Sequence, residues 1–265
     1  METHWLSQTF SFAAEFRPGL NLKTVPKKAG PLLADTVAAI QANGSAQFAE
    51  AVATQILLEK IKIRNASQVV LTRPKDLSIE ATIALVRRHI NQPYRKNSPR
   101  LPQLIIYAIY QCLVVHVGRY KGCQLEKLGR MKSADRKADT IGDIVLTKDS
   151  NAVEAVEIKQ QPIKFVHVSE AIDKVRALSV RRYYMLSTAG VAEGDIEEID
   201  FRKLKFLKQN GCEIIINGVL DSLSYYLRLL PDTNEFVFNY AQLVETDEDT
   251  NYEHRESWNL ACQKI

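Results

Sequence analysis

The stretch IGDIVLTKDSNAVEAVEIKQ, residues 141–160, sets two short apolar runs on either side of a polar turn, and it limits the possible folds more than any other part of the chain. Runs of this length around a turn predict antiparallel strands at 141–146 and 153–158, joined by a hairpin at 148–151. The pattern then alternates. Val168, Ala171, Ile172 and Val175 repeat at helical spacing within 168–178, a strand is expected at 183–186, a helix at 196–209, a strand at 213–216 and a helix at 219–230. A strand that returns through a helix lies parallel to its neighbour. The prediction is therefore an α/β fold, a mixed β-sheet flanked by helices with right-handed crossovers.

The region before the hairpin reads as helical. Phe48, Val52, Ile56 and Leu57 recur at helical spacing after the Asn43-Gly44 breaker, and Ser78 can cap a helix carrying Ile79, Ile83, Val86 and Ile90. The segment NQPYRKNSPRLP, 91–102, is rich in proline and basic residues and reads as a connector, followed by a helix at 103–117 that is apolar on nearly every side. The expected division is a helical N-terminal region, 1–98, and a core with a C-terminal extension, 99–265. The acidic run 245–253 reads as a solvated surface segment.

Composition excludes several classes. With 46% hydrophobic and 25% charged residues, the chain has the balance of a folded globular protein. The longest apolar run, 104–117, is interrupted by Gln111 and His116 and falls short of the roughly 18–20 residues a membrane helix needs. The start METHWLSQTFSFAAEF lacks a basic segment followed by an apolar one, so a cytoplasmic protein without membrane partners is expected. Cys112, Cys123, Cys212 and Cys262 show no CxxC spacing, which predicts reduced thiols rather than a zinc site. There is no GxGxxG, Walker-type loop or HExxH.

Charge is unevenly distributed. The net charge is +4, yet residues 87–137 hold twelve Lys and Arg against only Glu126 and Asp135. Such a segment is a candidate footprint for a polyanion, with Arg119, Lys121, Arg130, Lys132 and Arg136 as candidate phosphate contacts. Ser133 and Arg136 lie where a loop before the first strand of the hairpin could reach phosphate or a base edge. Ordinary turn chemistry is the simpler account of Ser133 and of Asp135.

The hairpin itself carries the chemistry. Side chains alternate along a strand, so Glu157 and Lys159 share one face and Ile158 takes the other. If the two strands pair as drawn, Asp143 comes beside Glu157. Adjacent carboxylates repel unless a cation lies between them, and an oxygen-rich pair suits Mg²⁺, which keeps several waters and takes further ligands from a substrate phosphate. Lys159, on the same face, can orient the attacking water or stabilise developing negative charge. The plain alternative is a cross-strand ion pair on an exposed hairpin.

Asp143, then Glu157-Ile158-Lys159 on the next strand, then helix, strand, helix and strand, resembles the PD-(D/E)xK nuclease superfamily, which includes most type II restriction endonucleases. The resemblance covers about residues 103–230, and Gly142 stands where the literal motif has proline. The runs SADRKADTIGDIVL, AVEIKQ and RRYYMLST are similar to restriction endonucleases of the SacI type. The resemblance implies a restriction-endonuclease-like core and Mg²⁺ as cofactor. Asp143, Glu157 and the Ile158 backbone carbonyl would be metal ligands, and Lys159 a catalytic base or electrostatic stabiliser. Double-stranded DNA would be the substrate, cut at a short specific sequence by a homodimer, with a cognate DNA methyltransferase as genetic partner. Gln160 enters the site only if the strand ends before it. The alternatives are a structure-selective repair or junction-resolving nuclease, and a non-catalytic DNA-binding protein on a nuclease-like core. His89, His116 and His167 lack partners at ligand or triad spacing and are expected to be structural or on the surface.

Overall fold

The computed structural model describes residues 29–66, 69–94, 96–131, 141–176 and 180–265. The described residues divide into two compact units, one before residue 68 and one after it. In the first, α1 (Ala29–Asn43) and α2 (Ala46–Ala66) are joined across Gly44, whose φ of 63° suits a residue without a Cβ. The division falls earlier than the expected 98/99. The reason lies in α3 (Ile79–Ile90): its Leu85 and Val86 belong to the core of the second unit. Ser78 caps α3 as anticipated, accepting a hydrogen bond from the Ala81 amide.

The second unit is an α/β structure built on a five-stranded mixed sheet. After α3 come α4 (Arg100–His116) and a short 3-10 turn (Gly118–Tyr120), then β1 (Gln124–Leu125), β2 (Ile144–Lys148) and β3 (Asn151–Lys159). Next are α5 (Phe165–Val175), β4 (Arg182–Ser187), α6 (Ile196–Asn210), β5 (Glu213–Gly218), α7 (Val219–Leu227), α8 (Asn234–Thr246) and α9 (Tyr252–Cys262). The strands lie in the order β1-β2-β3-β4-β5. Pairing is antiparallel from β1 to β3 and parallel from β3 to β5, as strands joined first by a hairpin and then through helices must be.

Helices cover both faces of the sheet. On one, Ile144, Leu146, Val156, Ile158, Tyr184 and Leu186 join a large core shared with α3, α4, α7, α8 and α9. On the other, Ala155, Tyr183, Met185 and Ile214 pack with residues of α5 and α6 in a smaller cluster. Among the described residues there are nine α-helices, and none is long and apolar enough to cross a membrane. The four cysteines are free thiols.

Three expectations about elements need correction. Helix α4 starts at Arg100, inside the segment read as a connector; Pro102 is tolerated because the first-turn N–H groups of a helix have no partner within it. The acidic run is not simply solvated: it begins in the last turn of α8 and continues through the turn that leads to α9, and Asp247 forms an ion pair with the buried Arg100 at 2.6 Å. The first hairpin strand begins at Ile144 rather than 141, because the chain bends before it. The turn itself is tight, with Asp149 and Ser150 at φ of 50° and 64°, the two-residue geometry that matches strand twist.

Candidate functional site

The site grows out of the end of the β2–β3 ladder. The last paired residues are Ile144 and Val156, so the next rung would join Asp143 to Glu157. The backbone leaves the ladder there, and the Asp143 side chain replaces it: Oδ2 accepts a hydrogen bond from the Ile158 amide at 2.8 Å. Gly142 permits this approach. A Cβ on Gly142 would lie 2.8 Å from the Val156 carbonyl oxygen, closer than real side chains come. Glycine in place of the motif's proline is therefore required by β3, whose backbone occupies the space.

Glu157 and Lys159 share the face of β3 that also carries Ala155 and turns toward α5. Lys159 Nζ donates to Glu157 Oε1 at 2.7 Å, and Lys174 of α5 brings its Nζ to 3.9 Å from Oε2. Both glutamate oxygens thus face a cation. On β4, Tyr183 is fully buried, and its hydroxyl lies near the Glu157 and Asp143 carboxylates. Burial, and then the charges of Glu157 and Asp143, raise its pKa above the ordinary phenol value.

Whether Mg²⁺ suits these groups can be judged from the donors. Among the described residues no three His, Cys, Asp or Glu side chains cluster as a metal site, and the third ligand the resemblance implies is the Ile158 backbone carbonyl. The Ile158 N–H points to the β2 edge, and in a strand the N–H and C=O of one residue point the same way. The Ile158 carbonyl therefore faces the edge where Asp143 sits, beyond the last rung of the ladder. Two carboxylates and a carbonyl make a hard oxygen set. The donor set fits.

Sequence reasoning missed three residues here. Gln103 donates from Nε2 to Asp143 Oδ1 at 3.0 Å; its only signal was a polar side chain at the start of an apolar helix. In the sequence Lys174 is one of several charges in a helical segment, and Tyr183 one aromatic in an apolar strand, so neither stands out.

The candidate DNA contacts are dispersed. Arg119 pairs with the buried Glu154, and its guanidinium lies 4.9 Å from the Tyr120 ring centroid. Glu154 alternates with Glu157 and belongs to the opposite face of β3, where the Tyr110 and Tyr120 hydroxyls also donate to it, at 2.5 and 3.0 Å. Arg119 is thus held on the far face from Lys159. Lys121 is exposed, and Arg130 pairs with Glu248. Lys132, Ser133 and Arg136 lie outside the described residues. β3 ends at Lys159, and Gln160 beyond it accepts a hydrogen bond from the Ser98 hydroxyl at 3.2 Å. His89 is buried between the Tyr240 hydroxyl and the His254 carbonyl, and His116 pairs with Glu235. No protein-family model matches the chain, and no curated protein matches it significantly.

Proposed function

We propose that this chain is a Mg²⁺-dependent endodeoxyribonuclease of the type II restriction class, cutting double-stranded DNA at one short sequence. The observation that carries the reading is the junction at Ile158: Asp143 accepts its N–H while Glu157 and Lys159 flank it on one face of the strand. Support also comes from the strand order, which sets an antiparallel pair beside parallel strands with helices on both faces, the arrangement the PD-(D/E)xK resemblance implies. Lys159 lies at the C-terminal end of β3, next to the C-terminal end of the parallel β4, where open α/β sheets place their ligands.

Asp143, Glu157 and the Ile158 carbonyl would hold the ion, which when bound acidifies a coordinated water and neutralises charge on the scissile phosphate. Lys159 would orient an attacking water and offset charge developing on the phosphate, while Lys174 adds a second positive group close to Glu157. Tyr183 closes the site on the side of β4. Both strands of a duplex are cut most simply by a homodimer whose two-fold axis matches that of the sequence. The test is digestion of DNA of known sequence with Mg²⁺, with the ends then mapped. Ends at one short sequence, carrying 5′ phosphates, are expected; ends only at branches or flaps would replace this reading with a structure-selective nuclease.

A further inference from the structure

Resting on the metal reading above, we infer that Gln103 is a positioning residue that fixes the Asp143 carboxylate for Mg²⁺, and that the pair formed by the buried Arg100 with Asp247 sets the direction of its amide. Gln103 Oε1 accepts from Arg100 Nη1 at 3.1 Å, and Gln103 Nε2 donates to Asp143 Oδ1 at 3.0 Å. An amide can sit in two orientations, but a guanidinium only donates. With Arg100 on one side, the Gln103 oxygen must face it, so the amide N–H groups must face Asp143.

Arg100 is itself held through all three of its guanidinium nitrogens. Nε and Nη2 donate to Asp247 Oδ1 and Oδ2 at 2.9 and 2.6 Å, and Nη1 also donates to the Gly129 carbonyl at 2.8 Å. Its side chain is 3% exposed and that of Asp247 13%. Asp247 in turn accepts from the Asp249 amide at 3.0 Å, so the chain after α8 anchors the far end of the series. At the near end each Asp143 oxygen has its own donor, Gln103 for Oδ1 and the Ile158 amide for Oδ2. Two donors on opposite oxygens fix the plane of the carboxylate. The first turn of α4 and the end of α8 thereby become part of the metal site, although neither supplies a ligand.

Outer partners that orient metal ligands typically cost about 10–100-fold in metal affinity when removed. The experiment is calorimetric titration of the full chain with Mg²⁺ alone, without DNA, on wild type, Gln103→Leu and Gln103→Asn, with circular dichroism as a check on folding. Gln103→Leu keeps the volume and removes both hydrogen bonds; about a 10–100-fold weaker Mg²⁺ affinity is expected. Gln103→Asn keeps an amide too short to bridge Arg100 and Asp143, and a smaller loss is expected, which covers the case of a Leu variant that fails to fold. In cleavage assays the same variants should need proportionally more Mg²⁺ and approach the wild-type kcat at saturation. A folded variant with unchanged Mg²⁺ affinity would overturn the role of Gln103 while leaving the nuclease reading intact. A wild-type chain that binds no Mg²⁺ would overturn both.

Discussion

At the scale of single residues, the least tolerant position near the site is Gly142. Adding a Cβ there forces it against the Val156 carbonyl at 2.8 Å, which is backbone and cannot rotate away. Gly142→Ala is expected to lower unfolding free energy by about 1–3 kcal/mol, the usual cost of overpacking, and to weaken cleavage because Asp143 is the next residue. Urea denaturation measures the first effect; an unchanged midpoint would show that β2 and β3 can separate there without cost. The alternation of Glu157 and Lys159, and the possibility of Asp143 beside them, were legible from spacing. Gln103 was not, because a hydrogen bond between positions forty residues apart leaves no periodic trace. Glycine at 142 was legible only as a departure from a motif, and its reason appears when β3 is seen against it.

At the scale of elements, the C-terminal helices are locked to α3 through a buried histidine. His89 of α3 bonds the Tyr240 hydroxyl of α8 at 2.8 Å and the His254 carbonyl of α9 at 2.9 Å, with the Trp258 ring centroid 5.4 Å away. Burial depresses its pKa from 6.5 to about 4, partly opposed by the bond to the His254 carbonyl. A depressed pKa means that the unfolded chain takes up the proton first. The associated stability is present above pH 6.5 and is lost as pH falls toward 4, up to about 3 kcal/mol. Denaturation midpoints measured from about pH 7 to about pH 4.5 should fall through this window and fall less in His89→Gln; equal slopes would assign the loss to other groups. The central alternation of strand and helix was legible because each element has its own period. Helix α8 also has one, in Phe236, Val237, Tyr240, Ala241 and Val244, and its last turn merges into the acidic run, so its end carries no stop signal. β1 has only two residues, too few for any alternation to register.

At the scale of the whole molecule, the sheet brings Asp143, Glu157 and Lys159 to one end of one strand, with α5 over them and the first turn of α4 behind Asp143. Topology was readable because a hairpin and two helix-linked strands after it leave few arrangements. The positions of the basic residues were not, since charge has no period: Arg119 joins a buried carboxylate on the far face of the sheet instead of the candidate site. The central claim is that these three residues form a Mg²⁺-dependent site for phosphodiester hydrolysis. The most direct measurement compares wild type with Asp143→Asn, Glu157→Gln and Lys159→Met for plasmid cleavage with and without Mg²⁺, alongside duplex binding of the same preparations. Each variant keeps its side-chain size while losing its charge. Wild type should cut only when Mg²⁺ is present, and each variant should lose about 10²–10³-fold or more in rate while still binding duplex DNA. Cleavage by any of the three at the wild-type rate, or no Mg²⁺-dependent cleavage by wild type on any duplex, would contradict the account.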